Sequence, residues 1–219
     1  MMRPPGRVTV SSAYVRLPLT PSRAYAMGMP ASVPAPVGRF DWTAEMVRAL
    51  PDDGKRYEVL DGELFVTPVP SADHQEALIV LFRTLDPYVR EHRIGHLMLS
   101  PADIEFSPKR LVQPDLFVAP LVEGKRPRKW RDVHGLVLAV EGLSPSTARA
   151  DRQVKSKIYM DEDVGEYWIV DLDARVFERW RKDESRPEIL AEALGWQPRA
   201  DVPPLEIELV AYFAKVLAD

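Results

Sequence analysis

Two hydrophobic spacings alternate along the chain. In RYEVLDGELFVTP, two short apolar runs flank Asp61-Gly62, a dipeptide suited to a two-residue hairpin turn, so a β-hairpin is expected there. In SADHQEALIVLFRTLDPYVREHR, apolar residues fall at 77, 78, 81, 82, 85, 88 and 89, which predicts a long helix over 72–92 with Pro87 near its end. Ahead of both, DWTAEMVRAL reads as a short helix capped by Asp41 or Thr43. Strands are expected at about 96–99, 103–106, 111–119 and 136–141, followed by a helix at 147–162. EYWIVDLDARVFERWRK reads as a second hairpin, and the remainder supplies a strand or two and a final helix. A helix, a meander, a strand–helix–strand crossover and a hairpin make a mixed α/β (α+β) domain, with helices against a central sheet.

Residues 1–38 break from this pattern. They hold seven prolines, four arginines and no acidic residue, with no amphipathic period. They are expected to form a disordered basic tail ahead of a domain at 39–219. The tail has no continuous apolar run of the signal-peptide kind, and Met27 and Met29 offer alternative translation starts. The whole chain of 219 residues carries a net charge of −4, so with +4 in the tail the domain carries about −8. That excludes a surface coated in positive charge for nucleic acid and leaves local patches as the only basic contacts. There is no cysteine, which excludes disulfides and thiolate chemistry and fits a cytoplasmic setting. The four histidines lack zinc-hydrolase spacing. No stretch approaches the roughly 20 apolar residues of a membrane span.

Against this background two carboxylates stand out. Asp115 precedes the apolar run Leu116–Ala119, and Glu141 ends the run Leu136–Val140. If the two strands are neighbours, the carboxylates converge at one edge and offer oxygen ligands to Mg2+ or Mn2+. Without a cation the pair would be costly to bury. The following helix has Ser144 and Pro145 at its start and an apolar seam at Val154 and Ile158. Asp151, Lys155 and Tyr159 form a parallel row beside that seam. Lys155 could return its ammonium to the end of the Glu141 strand, to hold a water or neutralise transition-state charge. Lys157 lies about 200° away on the helix, so only one of the two can serve.

The segments PDLFV, VEGLSPST, DRQVKSKIY and VGEYWIVD resemble the Uma-two family of restriction endonucleases, within the PD-(D/E)XK nuclease superfamily. The likeness extends upstream through RYEVLDGELFVTPVPSADHQ and covers roughly residues 40–215. It implies a restriction-endonuclease-like central mixed sheet flanked by helices, and a metal-dependent DNA endonuclease. Asp115 matches the first acid of the motif and Glu141 the second. The superfamily lysine would fall at position 143, which is Leu143; the matching lysine is Lys155 on the next helix. The family's upstream acid and imidazole match Glu58 and His74 as accessory residues. The sequence departs from the family at Gly142, where a branched apolar residue is usual, and the glycine is expected to loosen the strand end.

Each residue also has a plainer reading. Asp115 could cap a turn after Pro114, Glu141 could face water or pair with a nearby Arg, and Glu58 could pair with Lys55 or Arg56. His74 could serve only the helix start. Lys125, Arg126, Arg128, Lys129 and Arg131 form a basic loop that is either solvated or a phosphate contact. The partner expected is double-stranded DNA, with homodimerisation to cut both strands. The rival is a nuclease fold that binds nucleic acid or a protein and no longer cuts.

Overall fold

The computed structural model describes residues 41–67, 69–133 and 135–218. The expected tail at 1–38 lies outside them. A short helix, α1 (Ala44–Arg48), is capped by the Thr43 hydroxyl. It leads into a hairpin of β1 (Arg56–Leu60) and β2 (Glu63–Thr67). The turn residues Asp61 and Gly62 have φ of 51° and 83°, the pair of positive angles that a tight hairpin of this hand requires. Helix α2 (Ala72–Glu91) is capped by Ser71 and runs through Pro87. It is followed by β3 (His96–Leu99), β4 (Ile104–Ser107), β5 (Arg110–Val112) and β6 (Leu116–Ala119).

Residues 111–119, expected as one strand, are two strands in different sheets. β5 belongs to a four-stranded sheet of order β2-β1-β5-β4, and β6 to a six-stranded sheet. The break is Gln113-Pro114-Asp115. Proline donates no hydrogen bond and restricts the residue before it, so the chain leaves one ladder there and enters the other.

Past β6 come β7 (Leu138–Gly142), a helical segment, and then β8 (Glu166–Asp171). β7 and β8 pair in parallel, as the expected crossover requires. The helical segment comprises α3 (Ala148–Ala150), a π-helical turn (Asp151–Lys155) and α4 (Ser156–Asp161). The Ser144 hydroxyl accepts a hydrogen bond from the Thr147 amide just ahead of it. The hairpin partner of β8 is β9 (Val176–Arg181), and β10 (Glu188–Leu190) extends the sheet. The six strands are ordered β10-β9-β8-β7-β6-β3. A small hairpin, β11 (Ala193–Trp196) and β12 (Leu205–Glu208), precedes helix α5 (Leu209–Val216).

The inner strands β6, β7 and β8 of the six-stranded sheet are buried on both faces, and they sort their side chains with period two. Leu116, Val118, Leu138, Val140, Trp168 and Val170 pack against α2 and α5. Phe117, Ala139, Tyr167 and Ile169 point the other way, onto the small sheet and α4. Each large apolar side chain buried in this manner contributes about 1.5–3 kcal/mol. The site lies on the second face, between the two sheets.

Candidate active site

Strand register brings the two principal carboxylates together. β6 and β7 pair antiparallel with Leu116 opposite Val140, so the next pair outward is Asp115 opposite Glu141. By alternation both side chains share the face of Phe117 and Ala139. The Gly142 amide donates to Asp115 Oδ2 at 3.0 Å and ties the two strand ends together.

The π-helical turn supplies the cation. Lys155 Nζ lies 2.9 Å from Glu141 Oε1, 3.0 Å from Glu58 Oε1 and 3.7 Å from Asp151 Oδ1. The lysine is only 2% exposed, whereas Lys157 is at the surface. Glu58 comes from β1, where alternation sets Arg56, Glu58 and Leu60 on one face. Its carboxylate accepts from the Gln113 amide at 2.8 Å and the Thr67 hydroxyl at 3.2 Å. Glu58 therefore pairs with Lys155, while Arg56 turns to Ser100 at 2.7 Å and Asp115 at 3.4 Å. Glu141 faces the cavity rather than open water, and Tyr159 donates to its Oε1 at 3.0 Å.

His74, in the first turn of α2, places Nε2 3.1 Å from Asp115 Oδ2. The contact is close but poorly aligned, so this buried nitrogen keeps an unfulfilled hydrogen bond. Gly142 explains how the ring gets there. A Cβ at position 142 would stand 2.6 Å from His74 Cε1 and 2.7 Å from Nδ1. The glycine does not loosen the strand end as expected from sequence. It is buried, pairs with Val170 in the sheet, and clears the space the imidazole occupies.

Arg56, His74, Asp115, Glu141, Asp151 and Lys155 line a cavity of about 370 Å³, and Glu58 and Tyr159 hold Lys155 and Glu141 from outside that lining. Within it the carboxylates are pushed in opposite directions. Burial alone would raise Asp115, but the adjacent His74 and the charges of Arg56 and Lys155 outweigh it and hold the group at about 2. Burial lifts Glu141 well above its ordinary range. Lys155 opposes that, and the charges of Asp115, Asp151 and Glu58 reinforce it. Burial likewise lifts Asp151 to about 6 against the pull of Lys155 and a Thr147 hydrogen bond. Asp151 Oδ1 has no hydrogen-bond partner. Crowded carboxylates with opposed proton affinities are the environment in which acid and base roles separate.

The same crowding bears on a divalent cation. Among the described residues, no three Asp, Glu or His side chains form a ready-made metal cluster. Mg2+ commonly takes only one or two carboxylates and completes its shell with water and phosphate oxygens. Asp115 and Glu141 meet that smaller requirement. The raised Glu141 and the Asp151 oxygen, which has no hydrogen bond and meets the Lys155 ammonium only at 3.7 Å, mark a place rich in negative charge.

The sequence reading passed over several of these residues. Asp151 and Tyr159 were visible as the i, i+4, i+8 row with Lys155, and their function lay in that row. Arg56 carried no local signal, since its partner Asp115 is 59 residues away, and Gly142 stood out only as a departure from the family pattern, its neighbour His74 being 68 residues away. The basic side chains of Lys125, Arg126, Arg128, Lys129 and Arg131 are exposed. Their loop follows the far end of β6, which alone spans about 13 Å from Asp115. They take no part in the cavity.

The fold recurs in a solved structure from Anabaena variabilis ATCC 29413, described as a "putative nuclease belonging to DUF820". It superposes with a TM-score of 0.66 at 16% identity, covering 80% of this chain and 99% of the other. The molecule thus shares its fold with that protein. A family model, Uma2, described as "Putative restriction endonuclease", matches residues 44–210, and the chain belongs to that family. No curated protein matches. Among the described residues, no helix is long and apolar enough to cross a membrane.

Proposed function

We propose that the protein is a divalent-metal-dependent endonuclease that hydrolyses phosphodiester bonds in DNA. The observation that carries this reading is the meeting of Asp115, Glu141 and Lys155 in one buried cavity, on a fold shared with a nuclease-class protein. Asp115 and Glu141 would hold Mg2+ or Mn2+. When bound, such an ion supplies positive charge at the scissile phosphate and eases deprotonation of water.

The chain's own groups do the rest. Arg56 and His74 keep Asp115 ionised and ready as a ligand. Tyr159 fixes the Glu141 carboxylate through its hydroxyl. Lys155 has protons to offer to a water or to a non-bridging phosphate oxygen, positioned by Glu58 from behind. Glu58 is anchored by the Gln113 amide and Thr67, so its role is to orient the lysine. The basic loop at Lys125–Arg131 would add sequence-independent phosphate contacts away from the cut.

The test is a cleavage assay with and without Mg2+ or Mn2+, on wild type and Asp115→Asn. Cleavage should need the metal and fall at least about 100-fold in the variant, the scale expected when a group acting in the transition state is removed. Equal cleavage in EDTA, or an unaffected variant, would refute the mechanism. One observation favours the rival, a fold that binds but does not cut: Lys155 is already engaged by two glutamates. DNA binding without metal-dependent cleavage would decide for it.

A further inference from the structure

We infer that the substrate is a DNA strand unpaired at the scissile phosphate, as in a single strand or a flap, and not an intact duplex. This rests on the nuclease reading and narrows its substrate class.

The first observation is depth. Asp115, Glu141 and Lys155, which line the cavity, are 5%, 4% and 2% exposed. A phosphate reaches them only by entering the cavity, whose volume of about 370 Å³ lies near the small end of ligand pockets. Duplex DNA carries its phosphates on a stiff rod with a persistence length of about 50 nm, and bending it sharply costs several kcal/mol. An unpaired strand can fold one phosphate and its sugar inward without that cost. Where a protein must draw a nucleotide out of a duplex, unstacking and unpairing it costs a few kcal/mol, least where the strand is already single.

The second observation is charge. The cavity lining holds five carboxylates, from Asp73, Asp115, Glu141, Asp151 and Asp173, against two permanent cations, Arg56 and Lys155. Both cations are already paired inside. Asp73 and Asp173 are exposed, where they would meet the flanking phosphates of a duplex. The exposed basic cluster at Lys125–Arg131 lies beyond the opposite end of β6, away from this rim. A duplex laid across the mouth would present two rows of phosphate to an acidic rim, and a single strand presents one.

The third observation is the apolar character of the remaining rim. Val69 is 91% exposed beside the cavity, with Pro70, Pro145, Leu172 and Leu217 also in its lining. Base faces that pack on such side chains remove apolar surface from water, and an unpaired strand is free to turn them inward. In an intact duplex those faces are covered.

The experiment gives wild-type protein, in Mn2+, three DNAs: a circular single strand, a duplex with a single-stranded flap, and a covalently closed duplex circle. The first two should be cut at least about tenfold faster than the third, because unpairing a duplex costs a few kcal/mol. Equal or faster cutting of the closed duplex overturns the inference and leaves the nuclease reading standing. Fluorescence anisotropy in EDTA gives a second readout. A single-stranded oligonucleotide should bind more tightly than a blunt duplex of the same length, and Val69→Asp should weaken single-strand binding several-fold without moving the melting temperature. Preference for the duplex, or a silent Val69→Asp, counts against the entry route. Tight single-strand binding that depends on Val69, with no cleavage, keeps the entry route and removes the hydrolysis. Neither binding nor cleavage removes both.

Discussion

Replacing Lys155 with methionine keeps most of the stem and removes the charge. Its ammonium is the cation between Glu58 and Glu141, and both carboxylates stay buried when it is gone. Breaking a buried ion pair from one side costs about 3–5 kcal/mol. The structure allows one escape, uptake of a proton by Glu141, whose affinity burial already raises above the ordinary 4.5. Relative to the unfolded chain, holding that proton costs about 1.4 kcal/mol per pH unit above 4.5. The cap on the cost is therefore about 4 kcal/mol at pH 7.5 and about 1.4 kcal/mol at pH 5.5. The sign follows from a folded-state value above the unfolded one: stability is retained below 4.5 and lost as pH rises towards the folded value. Thermal melts at the two pH values measure it. For a domain of this size 1 kcal/mol is about 2–4 °C, so Lys155→Met should lose about 8–16 °C at pH 7.5 and about 3–6 °C at pH 5.5. Adding Glu141→Gln should recover part of the loss at pH 7.5 and little at pH 5.5. A deficit that does not change with pH would refute the claim that an orphaned buried carboxylate sets the cost.

Two other substitutions probe the neighbours. Gly142→Ala forces a methyl into the His74 ring and should cost about 1–3 kcal/mol, and adding His74→Ala should relieve it; additive losses in that double-mutant cycle would refute the steric account. Asp151→Asn should stabilise the protein by on the order of 1–3 kcal/mol at pH 8, because a value raised from 3.8 to about 6 is a penalty on the ionised form. That gain should shrink as pH falls through about 6 and vanish near 4, and a loss of stability in urea titrations at pH 8 would contradict it.

How much of this was legible in the sequence depended on the range of the interaction. The hairpin at Asp61-Gly62, the long helix and the parallel crossover followed from local pattern. So did the positions of Asp115 and Glu141, since each interrupts an apolar run at its end. The helix carrying Lys155 was harder. Hydrophobicity pointed to the Val154–Ile158 seam, yet Val154 is half-buried while Asp151, Lys155 and Tyr159 are buried. Polar side chains turned inward invert the usual rule, and only their spacing of four revealed them. The π-helical turn, common at functional sites, left no sequence mark. The division of 111–119 between two sheets was missed because its apolar content reads as continuous, although Pro114 was the physical clue. The approach of His74 to Gly142 depends on tertiary packing that no local pattern encodes.

The passage of the chain from β5 to β6 has a further consequence. Gln113, at the exit of the small sheet, holds Glu58 by its amide, and Asp115, two residues on, stands at the entry to the large one. The two halves of the site are thus joined by a peptide bridge three residues long. One residue more or fewer would reverse the facing of every side chain in β6, sending Asp115 towards α2 and Leu116 into the cavity. Length, in this bridge, is as much a chemical requirement as the identity of the acid. A substitution at Gln113 gives up its side-chain hydrogen bond to Asp103 at 2.7 Å but keeps the backbone amide that holds Glu58, whereas an insertion or deletion displaces both halves of the site. The bridge also makes the cavity a gauge of how the sheets are seated: any sliding of one against the other draws Glu58 away from Asp115 and opens the cluster around Lys155.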